Sequence, residues 1–227
     1  MRRVSAGLVL LLGLSSFGDA SAFWLTVNGG YNTYAMSDIN NDIQSINDVT
    51  APLQMNEISS GASYGWGLGI PVSKKVEISL SYERLYADSD VGDATQSNQY
   101  DFGVKVYKAT LLYHFDSSSK FASGLSAAIG TLGSGGEIER QADGYQTLRG
   151  DVEGLGLLLE GAFVADYWVS PRVAINGSVG YRLAKVSEPE VGGNPINDES
   201  GNRLEVDYSG FALRIGLKVD FSFNKQN

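Results

Sequence analysis

The sequence predicts an all-β fold: an eight-stranded, antiparallel, up-and-down barrel that spans a membrane. Three observations predict it. First, the segment from Leu213 to Phe223 alternates without a fault. Leu213, Ile215, Leu217, Val219, Phe221 and Phe223 fall on one face, and Arg214, Gly216, Lys218, Asp220 and Ser222 on the other. A period of two marks a strand whose faces meet different surroundings, and a long aliphatic face closed by aromatics suits lipid. Second, the connections between strand-like segments alternate between tight and long, as in barrels of the outer membrane. Third, the polar faces carry mostly Gly, Ala and Ser. A solvent-facing sheet would carry Lys, Glu and Thr there, whereas small residues fit the narrow interior of eight strands.

At the amino end, Arg2 and Arg3 precede the apolar run Leu8 to Leu14, and Ala20-Ser21-Ala22 places small residues at a cleavage site. This is the pattern of a secretory signal peptide, residues 1–22, exported through Sec and removed, leaving residues 23–227 as one barrel domain. The run is shorter than the roughly 20 apolar residues of a spanning helix. The chain has no cysteine, so neither a lipid-modified cysteine nor a disulfide is expected.

Eight segments have strand character, near 23–36, 59–71, 74–87, 102–115, 120–133, 153–168, 171–186 and 205–223. All reach the ~9–11 residues that a tilted transmembrane strand needs. Tight connections fall at Pro71-Val72-Ser73-Lys74, Asp116-Ser117-Ser118-Ser119 and Val169-Ser170-Pro171. The other four are long and rich in Asn, Asp, Gly and Ser. In the second segment Tyr64, Trp66, Leu68 and Ile70 oppose Ser63, Gly65, Gly67 and Gly69. In the third, Val76, Ile78, Leu80 and Tyr82 oppose Glu77, Ser79, Ser81 and Glu83. Aromatics gather near the strand ends: Tyr113, Phe115, Phe121, Tyr167, Trp168 and Phe221 by the tight turns, and Tyr82, Tyr86, Tyr107 and Tyr181 toward the long loops. Such girdles mark the two membrane interfaces.

The last strand also fits a carboxy-terminal barrel assembly signal, polar-x-Gly-x-x-apolar-x-apolar, with Arg214, Gly216, Val219 and Phe221 in the marked places. With the turn Tyr113 to Phe121 and the glycine-spaced strand after it, to Gly130, the chain resembles the small eight-stranded outer-membrane families. These include OmpX, the OmpA membrane domain, OmpW and the opacity proteins. The group ends on its final Phe, whereas Asn224-Lys225-Gln226-Asn227 follows Phe223 here. The resemblance implies a monomer in the outer membrane of a Gram-negative bacterium, surrounded by outer-membrane lipids and lipopolysaccharide and inserted by the barrel-assembly machinery.

The formal charge is −9. Acids cluster in the long loops, as in Asp38, Asp42, Asp48 and Glu57, or Glu188, Glu190, Asp198, Glu199, Glu205 and Asp207. Nucleic-acid binding needs the opposite sign and is excluded.

Counted from the tight turns, the inward residues Glu83, Lys108, Glu160, Arg182 and Arg214 lie at similar heights, at about 3.3 Å per residue. Two carboxylates and three bases at one level can neutralise one another, as buried charge requires. The resemblance implies the same, a salt-bridged plug; a gated pore or a proton path is the other reading. His114 is the one histidine, at the rim by the tight turns. Outer-membrane lipid A deacylases of the PagL type use His-x-Ser with an acid, but Asp116 stands two residues on, so a nucleophile and its base are missing. No residue pattern implies a cofactor or a metal.

Asp38-x-Asn40-x-Asp42 has the opening of a calcium loop, yet Ile43 replaces the glycine of its sharp turn. The preferred reading is a helix capped by Ser37, with Ile39, Ile43 and Ile46 on one face, lying over the barrel mouth. Gly133-Ser134-Gly135-Gly136 reads as a flexible hinge. The stretch through Ile138 and Arg140, the Asp143-Gly144 turn and the return through Thr147 read as a hairpin extending strands five and six. The expected function is non-enzymatic, structural or surface-interacting through acidic loops, with no surface ligand named. The alternatives are a narrow channel or carrier, as the OmpW resemblance suggests, and a lipid-modifying enzyme.

Overall fold

Two tight turns set the register from which the rest of the molecule follows. In one, the Val72 and Ser73 amides donate to the Val76 carbonyl at 2.8 and 3.1 Å; in the other, the Val169 and Ser170 amides donate to Val173 at 2.9 and 3.2 Å. The computed structural model describes residues 22–49, 54–92, 97–117, 120–134, 136–140, 148–197 and 201–221. The barrel strands are β1 (Trp24–Thr33), β2 (Ser60–Pro71), β3 (Val76–Leu85), β6 (Val104–Ser117), β7 (Phe121–Ser134), β10 (Leu155–Trp168), β11 (Val173–Val186) and β15 (Gly210–Asp220). Each pairs antiparallel with the next, and β15 pairs with β1, so the sheet closes. Closure leaves no unpaired edge, the condition for strands to cross a membrane.

Two of the strand ends that differ from the sequence reading do so for a visible local reason. The first strand stops at Thr33 rather than residue 36, because Met36 adopts φ 35° and turns the chain into a helix. The last begins at Gly210 rather than 205. There the Asp207 side chain accepts the Ser209 amide at 2.8 Å, a local turn that separates β14 (Val206–Asp207) from β15. A register shift between His114 and Asp116 marks a bulge in β6 against β7. The expected signal peptide lies outside the described residues except for Ala22, as do Phe223 and the residues after it.

The two faces of the wall separate cleanly. Val27, Leu68, Leu111, Leu125, Ile215 and Leu217 are all about half exposed or more, forming an apolar outer belt. Phe23, Tyr113, Phe115, Phe121, Tyr167 and Phe221 ring it near the tight turns, where Phe23 stacks on Phe221 at 4.9 Å. Tyr31, Tyr64, Tyr107, Tyr181 and Phe211 ring it nearer the loops. An apolar belt between two aromatic girdles is the exterior of a membrane barrel.

The long loops carry regular structure of their own. The first contains helix α1 (Ser37–Val49). The others supply β4 (Asp88–Gly92), β5 (Ser97–Asp101), β8 (Gly136–Arg140), β9 (Leu148–Glu153), β12 (Glu190–Val191) and β13 (Asn194–Pro195). These six strands form a second sheet. The β8–β9 hairpin expected from the sequence is present but belongs to this sheet, and its tip at residues 141–147, with Asp143, Gly144 and Thr147, lies outside the described residues. Gly136 does not act as a hinge: a side chain there would meet the Asp101 carbonyl at 1.8 Å, so close strand packing explains the glycine. Gly135 lies outside the described residues.

Candidate functional site

The interior is filled at three heights. At mid-barrel, neighbouring strands project Glu83 from β3, Lys108 from β6, Glu160 from β10, Arg182 from β11 and Arg214 from β15. The structure brings all five together. Lys108 Nζ lies 3.1 Å from Glu83 and 3.0 Å from Glu160. Arg182 donates to Glu160 through Nε and to Glu83 through Nη2, both at 3.1 Å. Arg214 donates to Glu83 at 2.8 and 3.0 Å and to Glu160 at 3.0 and 2.7 Å. Charge-assisted bonds of this kind offset the large cost of removing ions from water only when, as here, each carboxylate oxygen has a partner. Glycines opposite the long side chains make room: a Cβ on Gly30 would stand 3.0 Å from Arg214 Cγ, and one on Gly130 2.8 Å from Lys108 Cβ.

A second charged layer lies nearer the tight turns. Lys218 Nζ contacts Glu77 at 2.9 Å and Asp166 at 3.0 Å, and His114 Nε2 lies 3.0 Å from Glu77. Asn176 donates to the other Asp166 oxygen. Lys218 also stands 4.6 Å over the Trp24 ring, an inward indole for which Gly69 leaves space; a Cβ there would meet it at 2.2 Å. His114 is a buried member of this turn-side layer, facing inward with Leu112 while Tyr113 and Phe115 face out. Glu77 and Glu83 share one strand six residues apart, so their carboxylates are separated by about 20 Å along it.

The third level is apolar. Ile39, Ile43 and Ile46 of α1 are each no more than 1% exposed. They join Leu85, Val106, Leu132 and Leu158 from the upper barrel wall and Tyr100, Ile138, Val152 and Val191 from the second sheet in one buried cluster. The helix expected over the mouth is thus present. Its cap is Met36, not Ser37: the Met36 carbonyl accepts the Asn40 amide at 2.8 Å while its side chain is fully buried. Asp38 accepts the Glu205 amide, and Tyr100 donates its hydroxyl to Asp42, so two acids of the calcium-loop-like stretch bind protein groups. Burial holds the Tyr208 phenol protonated well beyond its ordinary range, and its hydroxyl donates to the Phe102 carbonyl at 2.5 Å. Burial raises Asp207, but bonds from Ser209 and Lys185 outweigh it and hold the carboxyl below its ordinary value.

The remaining sequence candidates belong to the closing strand. Gly216 faces inward between β1 and β11, where a Cβ would meet the Val27 carbonyl at 2.1 Å. Val219 is half-buried beside Leu25 and Val173, and Phe221 is exposed at the turn-side girdle. Arg214 doubles as a member of the mid-barrel layer. The sequence reading missed the lower layer, although Glu77 and Lys218 both sat on faces it had read as polar. It also missed the loop core beyond α1, because that core draws scattered residues from four connections.

Comparison with known proteins fits this architecture. No protein-family description matches the chain, and no curated protein does. Among solved structures, the Neisserial surface protein A (NspA) is similar at a TM-score of 0.51 and 15% identity, over 87% of this chain and 97% of that one. The fold is that of a small eight-stranded outer-membrane β-barrel. The N-terminal barrel domain of Pseudomonas aeruginosa OprF scores 0.44 at 11% identity, covering 87% of this chain and 96% of that one. The Escherichia coli outer membrane protease OmpT scores 0.34 at 8%, covering 88% and 95%. Likeness at these levels concerns the backbone alone.

Proposed function

We propose that this chain is a non-enzymatic outer-membrane protein with a closed lumen, which holds a folded acidic head outside the cell. The observation that carries this reading is the filling of the interior at three heights: two ion-paired layers and an apolar core. A conducting barrel needs a continuous wet path, whereas here the upper wall residues Leu85, Val106, Leu132 and Leu158 pack against loop residues. The head offers an ordered surface for contact, since β8, β9 and β12 are held by a ladder as well as by side chains. Some of its clustered acids are neutralised: Glu188 pairs with Arg203, and Lys185 with Glu205 and Asp207.

In this reading residues 1–22 are removed on export through Sec, the outer belt meets outer-membrane lipids and lipopolysaccharide, and the barrel works as a monomer. Arg214, Gly216, Val219 and Phe221 serve recognition by the barrel-assembly machinery. The long-loop end faces outward because both ends of an even-stranded barrel chain lie on the tight-turn side. Two measurements test this. Trypsin added to intact cells is expected to cut at Arg149, whose side chain is 76% exposed. Proteoliposomes carrying the protein are expected to swell no faster in small sugars or amino acids than empty ones. Cleavage only after the outer membrane is opened, or rapid swelling, would overturn the reading.

A further inference from the structure

The mid-barrel layer is not electrically closed on itself. Among the described residues, Lys108, Arg182 and Arg214 pair with Glu83 and Glu160 alone, leaving one positive charge in excess. The lower layer of Glu77, Asp166, Lys218 and His114 lies about 13–20 Å away along the strands. An ion excess in a water-poor interior draws a counter-ion.

Immediately above the layer, toward the loops, lie buried polar atoms without partners. Asn32 is 1% exposed, and neither its amide nitrogen nor its oxygen is hydrogen-bonded; the hydroxyl of Ser63, also buried, has no partner. These are three of the six such side-chain atoms among the described residues. Native proteins rarely leave buried polar groups unpaired, and a bound water or ion is the usual reason where they do.

The register places these residues beside one another on the inner face. Gly30 pairs with Ser63 on one side and Arg214 on the other, while Asn32 stands two residues further along the same inner face. Gly30 lets both neighbours close over it: its missing Cβ would be 2.8 Å from Ser63 Oγ and 3.0 Å from Arg214 Cγ. Arg214 has five N–H donors, and four serve the two carboxylates, leaving one. The Glu83 carboxylate is close, but both its oxygens are already engaged by Arg214, Arg182 and Lys108. The amide N–H of Asn32, the Ser63 hydroxyl and the remaining Arg214 N–H are donors, and the excess charge beside them is positive.

We propose that Asn32, Ser63 and Arg214 bind a small monovalent inorganic anion, a halide, on the loop side of the mid-barrel layer. The ion neutralises the surplus base and satisfies the orphaned donors. Water could satisfy the donors but not the charge, and this difference makes the proposal testable.

The probe is bromide, used with the folded full-length barrel in detergent. Crystals soaked in sodium bromide are expected to show an anomalous peak within hydrogen-bonding reach of Asn32 Nδ2, Ser63 Oγ and Arg214. At constant ionic strength, replacing gluconate by bromide is expected to raise the unfolding temperature saturably, by about 3–6 °C at tenfold the half-saturating concentration. Asn32→Leu should keep its folded band on a cold gel while losing peak and shift together; should that variant not fold, Ser63→Ala is expected to weaken the half-saturating concentration several-fold. A site filled by density without anomalous signal, or an unfolding temperature indifferent to bromide in the wild type, would assign the position to water and overturn the proposal.

Discussion

Replacing Glu160 by Gln tests the mid-barrel layer most severely, because the side chain keeps its size and loses its charge. Glu160 accepts from Lys108 at 3.0 Å, from Arg182 at 3.1 Å and from Arg214 at 3.0 and 2.7 Å. The variant faces three buried bases with Glu83 alone, and it turns an amide NH₂ toward donors. Breaking a buried pair by removing one partner costs about 3–5 kcal/mol. For a protein of this size that corresponds to a fall of about 6–20 °C in the unfolding temperature. Arg214→Gln alone should cost a similar amount, but the double variant should lose less than the sum, since it removes a base with its acid. The assay is the loss of the fast-migrating folded band with temperature, run for the wild type, both single variants and the double variant. A coupling of about 1–3 kcal/mol is expected. Losses that add within about 0.5 kcal/mol would refute the reasoning, because side chains that meet cannot be independent.

Three further outcomes follow from particular contacts. Gly216→Arg forces bulk against the Val27 carbonyl and should abolish the folded band, whereas Phe221→Ala removes the partner stacked on Phe23 and should lower surface levels without abolishing folding. Ile43→Ala opens a cavity in the loop core worth about 2–5 kcal/mol, and should expose the loop segments to limited proteolysis while the heat-modifiable barrel persists. Asp207 has its pKa lowered on folding, so its contribution is present above the ordinary carboxyl value of 3.8 and is lost as pH falls below it through the folded value. Amide protection around residues 204–210, taken relative to the intrinsic exchange rate at each pH, should therefore fall below about pH 4, and Asp207→Asn should remove that acid step.

The barrel was legible in the sequence because its wall obeys one rule over eight segments: period two, apolar outward, small residues inward. Heights could be counted because tight turns such as Val72 to Val76 and Val169 to Val173 leave the register little freedom. That count puts Glu83, Lys108, Glu160, Arg182 and Arg214 at one level. The lower layer was harder to see because His114 stands beside a bulge, where counting from the turn fails, and because Asp166 and Lys218 come from strands distant in sequence from Glu77. The loop core was legible only at α1, whose isoleucines recur at helical spacing. Tyr100, Ile138, Val152 and Val191 each sit in strands of six residues or fewer, too short for a period to show, and only their meeting in space reveals a core.

The measurement that tests the central claim most directly is single-channel recording of the purified wild-type protein in a planar bilayer at both polarities. A lumen closed by two ion-paired layers and an apolar core predicts successful insertion, shown by protease-protected folded protein, with no stepwise current. Stable, repeated openings of uniform size from the wild type would contradict it, since they require a continuous water path past Lys218, Arg214 and Leu158.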